Sequence, residues 1–545
     1  MTVPTKETLL LSGARPGDIA RAGSILAAGG LVGIPTETVY GLAANALDPR
    51  AVPAIFAAKG RPADNPLIVH IADLSQWRPL VRELPETALA LARTCWPGPL
   101  TVILPKAACV PAVTSGGLDT VAVRFPAHPI AQAVIRAAGV PLAAPSANRS
   151  GRPSPTTFAH LREDMEGRAD ALLDGGDCGV GVESTVVTLA GEHPRLLRPG
   201  KITVNQLREI LPDLVVDPAV LQQLEEGAKA QSPGMKYKHY APQAELTLVD
   251  ACPEDFVTYV NQNRPDAALC FDEELPGLTV PALSLGSRYD PQAQAHRLFT
   301  ALHRLDLEGA SRVLGPLPSR RGVGLAVVNR LLRAAAFRVV EPVGHRLVGL
   351  TGPTGAGKST VALLLERAGV PVIDCDAISR AAEVYGPDTV AALRVAFGAD
   401  VAPSGVLDRR LTARRALATP EGKARLEAIT FPPILAAVRT RAEELFAAGA
   451  KAVAVDAPTL FEAGLDSACA RILTVTAPEE TRLERVLERD GLTREAARQR
   501  LAAQHTEEFY VNRSDWVLTN GPGVTEDDLA RALAPILKEL GVTAP

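Results

Sequence analysis

The 545-residue sequence has few aromatic side chains and no strong excess of charge of either sign. Aromatic residues make up only 4%, which argues against a surface that stacks successive bases of single-stranded nucleic acid. Lysine and arginine number 57 against 61 aspartates and glutamates, a formal charge of −4, so any nucleic-acid contact would have to be local. With 47% hydrophobic and 22% charged residues, the composition is otherwise that of an ordinary globular protein.

The seven cysteines and the apolar runs exclude further classes of protein. The cysteines lie at positions 95, 109, 178, 252, 270, 375 and 469, and no two have C-x-x-C spacing. We therefore expect neither a disulfide framework nor a zinc cluster, and a reducing, cytoplasmic location. Because the N-terminus carries no basic segment before an apolar run, and no apolar run reaches about 18 residues, we expect neither a signal peptide nor a membrane span.

The texture of the chain predicts three α/β domains. Residues 1–211 alternate short β-like runs with helical segments rich in alanine and leucine. Residues 212–243 lose apolar periodicity and contain proline and glycine, which is typical of a linker. A smaller α/β stretch follows at 244–343. Residues 346–545 alternate strand-like runs with long helical segments, which predicts βαβ units and a parallel sheet.

A glycine-rich loop opens the last domain. Its sequence GPTGAGKS matches G-x-x-x-x-G-K-[ST], with a strand-like run before it and a helical run after it. In that context, backbone N–H groups and a helix N-terminus converge on phosphate oxygens. Lys358 would neutralise the β- and γ-phosphates, and the hydroxyl of Ser359 would bind Mg²⁺. The predicted ATP-binding residues of the loop are Gly352, Pro353, Thr354, Gly355, Ala356, Gly357, Lys358, Ser359 and Thr360.

Two carboxylates follow the second predicted strand of this domain. Asp374 and Asp376 come at its carboxyl end, the edge of an open parallel sheet where ligands bind. We expect one of them to face the phosphates, where it could accept a proton from an acceptor hydroxyl or order Mg²⁺ through water. The alternative, which stays open for Asp374, is that the carboxylates cap the following helix.

Taken as a set, the segments of 346–545 resemble the dephospho-CoA kinase family. In order they are the glycine-rich loop, VIDCDAISR (372–380), VLDRRLTARR (406–415), LEAITFPPI (426–434), DAPTLFEAGL (456–465) and RLERVLERDGLT (482–493). The resemblance implies a P-loop kinase with a helical lid that phosphorylates the ribose 3′-hydroxyl of dephospho-CoA. It makes Asp376 the catalytic carboxylate and makes Arg485 and Arg489 lid arginines. From the residues alone, that arginine pair would be a solvated helix face. Phe431 departs from the histidine that this family often has on the CoA side.

The first domain has no such loop but carries short motifs next to its predicted strands. They are PTETVYGLAA (35–44), AKGRPADNPLIVH (58–70), RFP (124–126), PSANRSG (145–151), VESTVV (182–187) and LRPG (197–200). Alone, their basic residues indicate no more than an anion site. Together they closely resemble the YrdC-like domain of the threonylcarbamoyl-AMP synthase family in its two-domain form. By that resemblance, residues 232–242 are a linker that folds back over the active site, and residues 322–335 end the small domain.

The second resemblance implies that L-threonine, bicarbonate and ATP give threonylcarbamoyl-AMP and pyrophosphate. Cationic residues would stabilise the triphosphate, namely Lys59 and Arg61 as catalytic residues together with Arg124, and Arg198 as a nucleotide contact. Ser146 and Asn148 would order oxygen atoms. Thr36, Tyr40, His70 and Ser184 would line the threonine and bicarbonate side, although His70, Tyr40 and Ser184 could equally be packing residues. The product would pass to a tRNA-modifying partner. Lys236, Lys238 and His239 could contact tRNA weakly, or form a solvated basic linker.

We therefore expect a bifunctional α/β enzyme. It would combine a YrdC-like twisted-sheet domain, a small Rossmann-like domain and a P-loop kinase domain with a parallel sheet and helical lid. Its substrates would be ATP, L-threonine, bicarbonate and dephospho-CoA, with Mg²⁺ as cofactor and no membrane partner. The alternative is an N-terminal RNA-binding or ribosome-maturation module joined to a nucleoside monophosphate kinase.

Overall fold

The computed structural model describes residues 6–62, 65–222, 240–342, 346–381, 384–403 and 405–542. Two compact units divide the chain: Met1–Asp250 with Val257–Val340, and Ala251–Phe256 with Glu341–Pro545. Most of the expected linker, including Lys236, Lys238 and His239, lies outside the described residues. Within the described part of the chain, no helix combines the length and apolar character needed to cross a bilayer.

An eleven-stranded mixed sheet organises the first part of the first unit. Its strands are β1 (Leu9–Ser12), β2 (Val32–Ile34), β3 (Gly41–Asn45), β4 (Ile68–His70), β5 (Leu100–Pro105), β6 (Thr120–Arg124), β7 (Leu142–Ala143), β8 (Ala171–Asp174), β9 (Thr185–Thr188), β10 (Arg195–Arg198) and β11 (Val215–Val216). Their spatial order is β1-β8-β2-β3-β7-β4-β6-β5-β9-β10-β11. The inner strands of the sheet are short apolar runs whose side chains are mostly buried, whereas the edge strands β1 and β11 are partly exposed.

Six helices cover this sheet. They are α1 (Pro16–Ala27), α2 (Val52–Lys59), α3 (Glu86–Cys95), α4 (Pro129–Ala138), α5 (Phe158–Met165) and α6 (Val204–Arg208). Proline in the first turn favours the start of α1, α2 and α4, because its fixed φ suits that turn and its missing N–H is not needed there. Gly60 has φ +64° and ends α2 directly after Lys59, which fixes where that side chain begins.

A second, fully parallel sheet forms the small domain of the same unit. Its strands are β12 (Glu245–Val249), β13 (Ala267–Cys270), β14 (Ala282–Ser284), β15 (Arg312–Pro316) and β16 (Val339–Val340), in the order β14-β13-β15-β12-β16. Its helices are α7 (Pro253–Asn263), α8 (Pro291–Leu307) and α9 (Gly324–Ala334). Parallel strands joined by helices are the expected Rossmann-like pattern.

The second unit contains a five-stranded parallel sheet in the order β18-β19-β17-β20-β21. These strands are β17 (Arg346–Thr351), β18 (Val372–Asp374), β19 (Ala452–Asp456), β20 (Arg471–Thr476) and β21 (Trp516–Thr519). Its helices are α10 (Lys358–Arg367), α11 (Cys375–Arg380), α12 (Pro387–Phe397), α13 (Arg409–Ala416), α14 (Pro420–Ala447), α15 (Glu479–Asp490), α16 (Arg494–Ala502), α17 (Glu507–Asn512) and α18 (Glu526–Glu539). The α/β class with a parallel sheet in this part of the chain is confirmed.

Candidate active sites

A polar cavity lies in the first unit, where β4 and β6 end and β9 begins. The position follows from topology, because β4 and β6 are parallel and their carboxyl ends meet at one edge of the sheet. Its polar wall consists of Thr38, Arg61, His70, Arg124, Ser146, Glu183, Ser184, Arg198 and Tyr240. Six of the ten residues that the sequence predicted for this site are therefore on the wall: Arg61, His70, Arg124, Ser146, Ser184 and Arg198.

Three buried arginines make this wall strongly cationic. Arg61, Arg124 and Arg198 are only 9%, 4% and 6% exposed. Arg124 pairs with Glu37 at 2.7 Å and donates to the Thr38 hydroxyl at 2.9 Å. Burial lowers the pKa of the Arg198 guanidinium, which donates to the carbonyl and hydroxyl oxygens of Ser184 at 3.0 and 3.1 Å. Guanidinium groups fixed in this way suit the oxygens of a polyphosphate.

His70 enters the cavity as a neutral imidazole. Burial and the neighbouring Arg124 lower its pKa to about 3, and its Nδ1 lies 3.1 Å from the Ile68 carbonyl. Ser184 is fixed by Thr101, whose hydroxyl is 2.8 Å from its own. The wall therefore offers neutral hydrogen-bonding groups beside the cations.

The K-x-R and S-x-N motifs meet in space, but not all of their side chains reach the cavity. The ammonium of Lys59 donates to the carbonyls of Ser146 and Asn148, the latter at 2.5 Å. The Ser146 hydroxyl donates to Asn148 Oδ1 at 2.6 Å. Burial, with Arg61 nearby, lowers the pKa of Lys59 well below its usual range. Lys59 and Asn148 are not among the described residues that line the cavity, so they lie behind its wall.

Thr36 and Tyr40 are likewise held in contacts outside the described cavity wall. The Thr36 hydroxyl donates to the Val39 carbonyl at 2.6 Å and closes the turn before β3. The Tyr40 hydroxyl donates to the Gly176 carbonyl at 2.7 Å, and burial raises its pKa. Their hydroxyl groups thus support the site from outside, and a role on the threonine side stays a prediction.

Glu183 is a wall residue that the sequence analysis missed. Burial acts to raise its pKa, but Arg330 and Arg198 outweigh burial and lower it. Its carboxylate accepts from the Ser154 hydroxyl at 2.5 Å and from Arg330 Nε at 2.8 Å. The available signal was the polar residues Asn329, Arg330 and Arg333 within the largely apolar segment GLAVVNRLLRA, because buried polar groups need buried partners.

The second unit holds a cleft of about 1330 Å³ at the glycine-rich loop. Thr354, Gly355, Gly357, Lys358 and Ser359 line it, together with Asp376, Asp456, Pro458, Arg485, Arg489, Arg500 and Gln504. Three loop glycines, Gly352, Gly355 and Gly357, have φ of +139°, +82° and +96°, a backbone that other residues adopt with strain. Lys358 donates to the Gly352 carbonyl at 2.9 Å, and burial lowers its pKa.

The two carboxylates after β18 have different positions. Asp374 caps α11, because its Oδ1 accepts from the Ala377 N–H at 2.9 Å. Asp376 lies in the first turn of α11 and lines the cleft. The strand ends at Asp374, so the geometry favours the capping alternative for Asp374 and leaves Asp376 facing the loop.

Asp456, at the end of β19, is the residue of this cleft that sequence reasoning missed. Burial raises its pKa to about 6, with Asp374 and Asp376 adding to the rise and Lys358 opposing it. Its Oδ1 is buried and has no hydrogen-bond partner among the described residues. The signal available was its place at the carboxyl end of an apolar strand-like run.

One arginine of the predicted lid contacts the loop region. Arg485 donates to the Gly355 carbonyl at 3.2 Å and to Asn520 Oδ1 at 3.3 Å. Arg489 and Arg500 line the same cleft and both donate to Asp490 at 2.8 Å. The contacts of Arg485 differ from the solvated helix face that the residues alone suggested, whereas the Arg489 side chain is 59% exposed, and a lid role for the pair stays a prediction.

Comparisons with known proteins match three consecutive segments. Family models described as "Telomere recombination", "Threonylcarbamoyl-AMP synthase, C-terminal domain" and "Dephospho-CoA kinase" match residues 24–200, 202–336 and 346–526. A stretch of 330 residues is 46% identical to threonylcarbamoyl-AMP synthase of Pyrococcus abyssi, covering 59% of this chain and 94% of that protein. A stretch of 176 residues is 41% identical to dephospho-CoA kinase of Anaeromyxobacter dehalogenans, covering 32% of this chain and 83% of that protein.

One solved structure extends the first of these similarities to three dimensions. The crystal structure of P. abyssi Sua5 complexed with L-threonine has a TM-score of 0.57 at 41% identity. The match covers 62% of this chain and 100% of that chain. A relative of B. subtilis, also a threonylcarbamoyl-AMP synthase, is 45% identical over 330 residues, which are 59% of this chain and 94% of the relative.

Proposed function

The chain belongs to the threonylcarbamoyl-AMP synthase family and, in its C-terminal part, to the dephospho-CoA kinase family, and from this premise we propose that it performs both reactions at two separate ATP sites. The observation that carries the proposal is that each compact unit gathers the motifs of one family around its own cleft. Each cleft has the fixed cations and hydroxyls that a nucleoside triphosphate requires.

In the synthase reaction, the amine of L-threonine attacks bicarbonate, and loss of water leaves N-carboxythreonine. An oxygen of this carbamate attacks the α-phosphorus of ATP, the bond to the β-phosphate oxygen breaks, and pyrophosphate leaves. Arg61, Arg124 and Arg198 would stabilise the negative charge on the triphosphate and the leaving group, since all three lie on the cavity wall. Neutral His70 would donate or accept a hydrogen bond without adding charge.

In the kinase reaction, the 3′-hydroxyl oxygen of dephospho-CoA attacks the γ-phosphorus of ATP, and ADP leaves. Asp376 would accept the hydroxyl proton, because it is the carboxylate of the first turn of α11 that faces the loop. Lys358, Arg485 and Arg489 would stabilise the charge on the transferred phosphoryl group. Protein groups do little covalent chemistry in such a transfer, so positioning and charge stabilisation provide most of the rate.

The residues of the second cleft also fit a magnesium ion. In the described part of the chain, no group of three or more histidines, cysteines and carboxylates could hold a metal, which agrees with an ion held mainly by phosphates and water. Ser359 and the unpartnered Oδ1 of Asp456 would hold the ion. When bound, Mg²⁺ would neutralise charge on the β- and γ-phosphate oxygens.

The alternative function of the first domain is not favoured. An RNA-binding surface needs exposed cations, whereas Lys59, Arg61, Arg124 and Arg198 are at most 9% exposed. We propose that threonylcarbamoyl-AMP passes to a tRNA-modifying partner in the cytoplasm. A nucleoside monophosphate acceptor is not favoured for the kinase, because the relatives of that part of the chain are named dephospho-CoA kinases.

A paired assay on the full chain tests the proposal. Lys358→Ala should lower dephospho-CoA phosphorylation by a factor of about 100 or more, the size of effect seen on removing one donor to a developing charge. It should leave threonine- and bicarbonate-dependent pyrophosphate release unchanged. Lys59→Ala should do the reverse.

Two exposed lysines, Lys201 and Lys423, provide matched controls. Replacing either by alanine should leave both activities at the parent level. If either Lys358→Ala or Lys59→Ala removed both activities while the protein stayed folded, the two-site proposal would be wrong.

A further inference from the structure

Helix α9 of the small domain is buried along its whole length, including three polar residues. Asn329 donates to the Val220 carbonyl at 2.6 Å, and Arg333 donates to the Ala219 carbonyl at 2.9 Å. Buried charges are costly unless paired, so the partners of these residues decide why the helix carries them. The third, Arg330, is 0% exposed and donates to Glu183, a residue of the synthase cavity wall.

Arg330 contacts two segments of the first domain at once. Its Nε donates to Glu183 Oε2 at 2.8 Å, and its Nη2 lies 3.4 Å from the Glu183 carbonyl oxygen. Its Nη1 donates to the Pro199 carbonyl at 2.8 Å. Glu183 directly precedes Ser184, and Pro199 directly follows Arg198, so one guanidinium joins the chain neighbours of two cavity residues.

Regular strand pairing does not fix these two segments. The antiparallel pairing of β9 and β10 shifts register between Leu196 and Arg198, and it ends with Arg198 opposite Val186. Glu183 and Ser184 precede β9, and Pro199 follows β10, so all three lie beyond the paired residues. A backbone segment that lies beyond the hydrogen-bonded part of its strand needs another constraint if its side chains are to keep one position.

The small domain also packs against the loop before Glu183. Val180 and Val182 belong to the hydrophobic core that α8 and α9 form with the small sheet. Gly181, with φ +84°, lies where any Cβ would collide with the backbone of His296 in α8. The segment that ends in Glu183 is thus held by the small domain on one side and lines the cavity on the other.

We propose that Arg330 is a positioning residue of the synthase reaction. Through Glu183 and Pro199 it fixes Ser184 and Arg198 at the cavity, so the small domain completes the site of the first domain. The inference rests on the proposed synthase function.

The test compares two methionine variants of the full chain. Arg330→Met removes the link between the segments, whereas Arg333→Met removes a buried arginine one turn later on the same helix, which donates to the Ala219 carbonyl. We expect Arg330→Met to lower kcat of pyrophosphate release by a factor of about 10 to 100, since a misplacement of about 1 Å can cost about a factor of 100. Arg333→Met should stay within about threefold of the parent, given that it lacks that link.

The kinase activity of the same chain reports the amount of active protein in each preparation. Arg330→Lys keeps the buried charge and gives a second variant if Arg330→Met does not fold. A lysine ammonium lacks the planar, multiply donating guanidinium that bonds both segments at once, so we expect the kcat of the lysine variant also to fall.

A double-mutant cycle with Ser184→Ala separates positioning from stability alone. If Arg330 acts through Ser184, adding Arg330→Met to Ser184→Ala should cost much less than Arg330→Met costs the parent. The proposal is wrong if the two changes are additive, or if the variants at Arg330 and Arg333 lose activity equally. A parent chain that releases no pyrophosphate with threonine and bicarbonate would instead overturn the proposed function.

Discussion

Replacing Asp456 by asparagine should abolish the kinase reaction and at the same time stabilise the second unit. The side chain is half-buried at the end of β19, and its buried Oδ1 has no hydrogen-bond partner among the described residues. An ionised carboxylate in such a place destabilises the fold, which is why burial raises its pKa from 3.8 to about 6. Asparagine has nearly the same shape and carries no charge.

The size of the effect follows from the pKa. A rise in the Asp456 pKa from 3.8 to about 6 corresponds to a loss of about 3 kcal/mol in the free energy of unfolding at neutral pH. The folded pKa is raised, so the folded state binds more protons between pH 3.8 and about 6. Stability therefore falls as the pH rises through that window, and the full loss is present at pH 7. The pKa of about 6 already includes the favourable effect of Lys358, and solvent in the cleft screens the half-buried carboxylate, so we expect a net gain of about 1–2 kcal/mol.

Thermal unfolding at two pH values measures this gain. For a unit of this size, about 1 kcal/mol moves Tm by about 2–4 °C, so Asp456→Asn should raise Tm by about 2–8 °C at pH 7. Near pH 4 the gain should largely vanish, because the parent carboxyl is then protonated in the folded protein. In the kinase assay, kcat/KM should fall by a factor of about 100 or more.

Asp374→Asn is the matched control, because asparagine caps a helix about as well as aspartate. Because the exposed Asp374 carboxylate contributes only part of the rise in the Asp456 pKa, that variant should change Tm by much less than Asp456→Asn. The reasoning fails if Asp456→Asn lowers Tm at pH 7, if its gain does not depend on pH, or if the kinase keeps its parent rate.

Two further predictions concern the rest of the chain. Burial holds the pKa of both His160 and His303 at about 4, below the ordinary 6.5, so stability of the first unit that is present above pH 6.5 should be lost as the pH falls toward 4. In urea titrations at pH 7 and pH 5, His303→Gln should lose less free energy of unfolding than the parent between the two pH values. A parent whose free energy of unfolding is the same at both pH values would contradict this account. A Cβ at Gly352 would collide with the Val475 carbonyl, so Gly352→Ala should remove kinase activity and leave pyrophosphate release unchanged. Gly521 has room for a Cβ, so Gly521→Ala should leave both activities unchanged. An active Gly352→Ala kinase would show that the loop backbone can move enough to accept the added Cβ.

The apolar runs of the sequence predicted the strands well. Strands β19 (AVAVD), β21 (WVLT) and β5 (LTVILP) each coincide with a short apolar run of the sequence. Short runs of buried β-branched and leucine side chains carry that information locally. The order of strands in the eleven-stranded sheet could not be predicted in this way. Strand β1 pairs with β8, more than 150 residues later, and local patterning does not encode such a pairing.

The site residues show the same difference between what local sequence encodes and what long-range contacts determine. The glycine-rich loop was predictable because its chemistry is written in eight consecutive residues. The pairing of Glu183 with Arg330 joins positions 147 residues apart, so the sequence marks a charge in an apolar helix without naming its partner. Asp456 was missed for a related reason, since its unusual pKa comes from burial beside Lys358 and two other carboxylates.

The two clefts offer phosphate groups different physical means of binding. In the second cleft, the loop presents backbone N–H groups whose partial charges do not count in the net charge. In the first, the cations are side chains, but Arg61, Arg124 and Arg198 are at most 9% exposed and project little field into solvent. The formal charge of −4 is a sum over every residue, these buried arginines included, so it does not reveal local cationic sites of this kind. Surface charge changes that spare both clefts should accordingly alter neither reaction by the factors expected for Lys59, Arg330, Lys358 or Asp456.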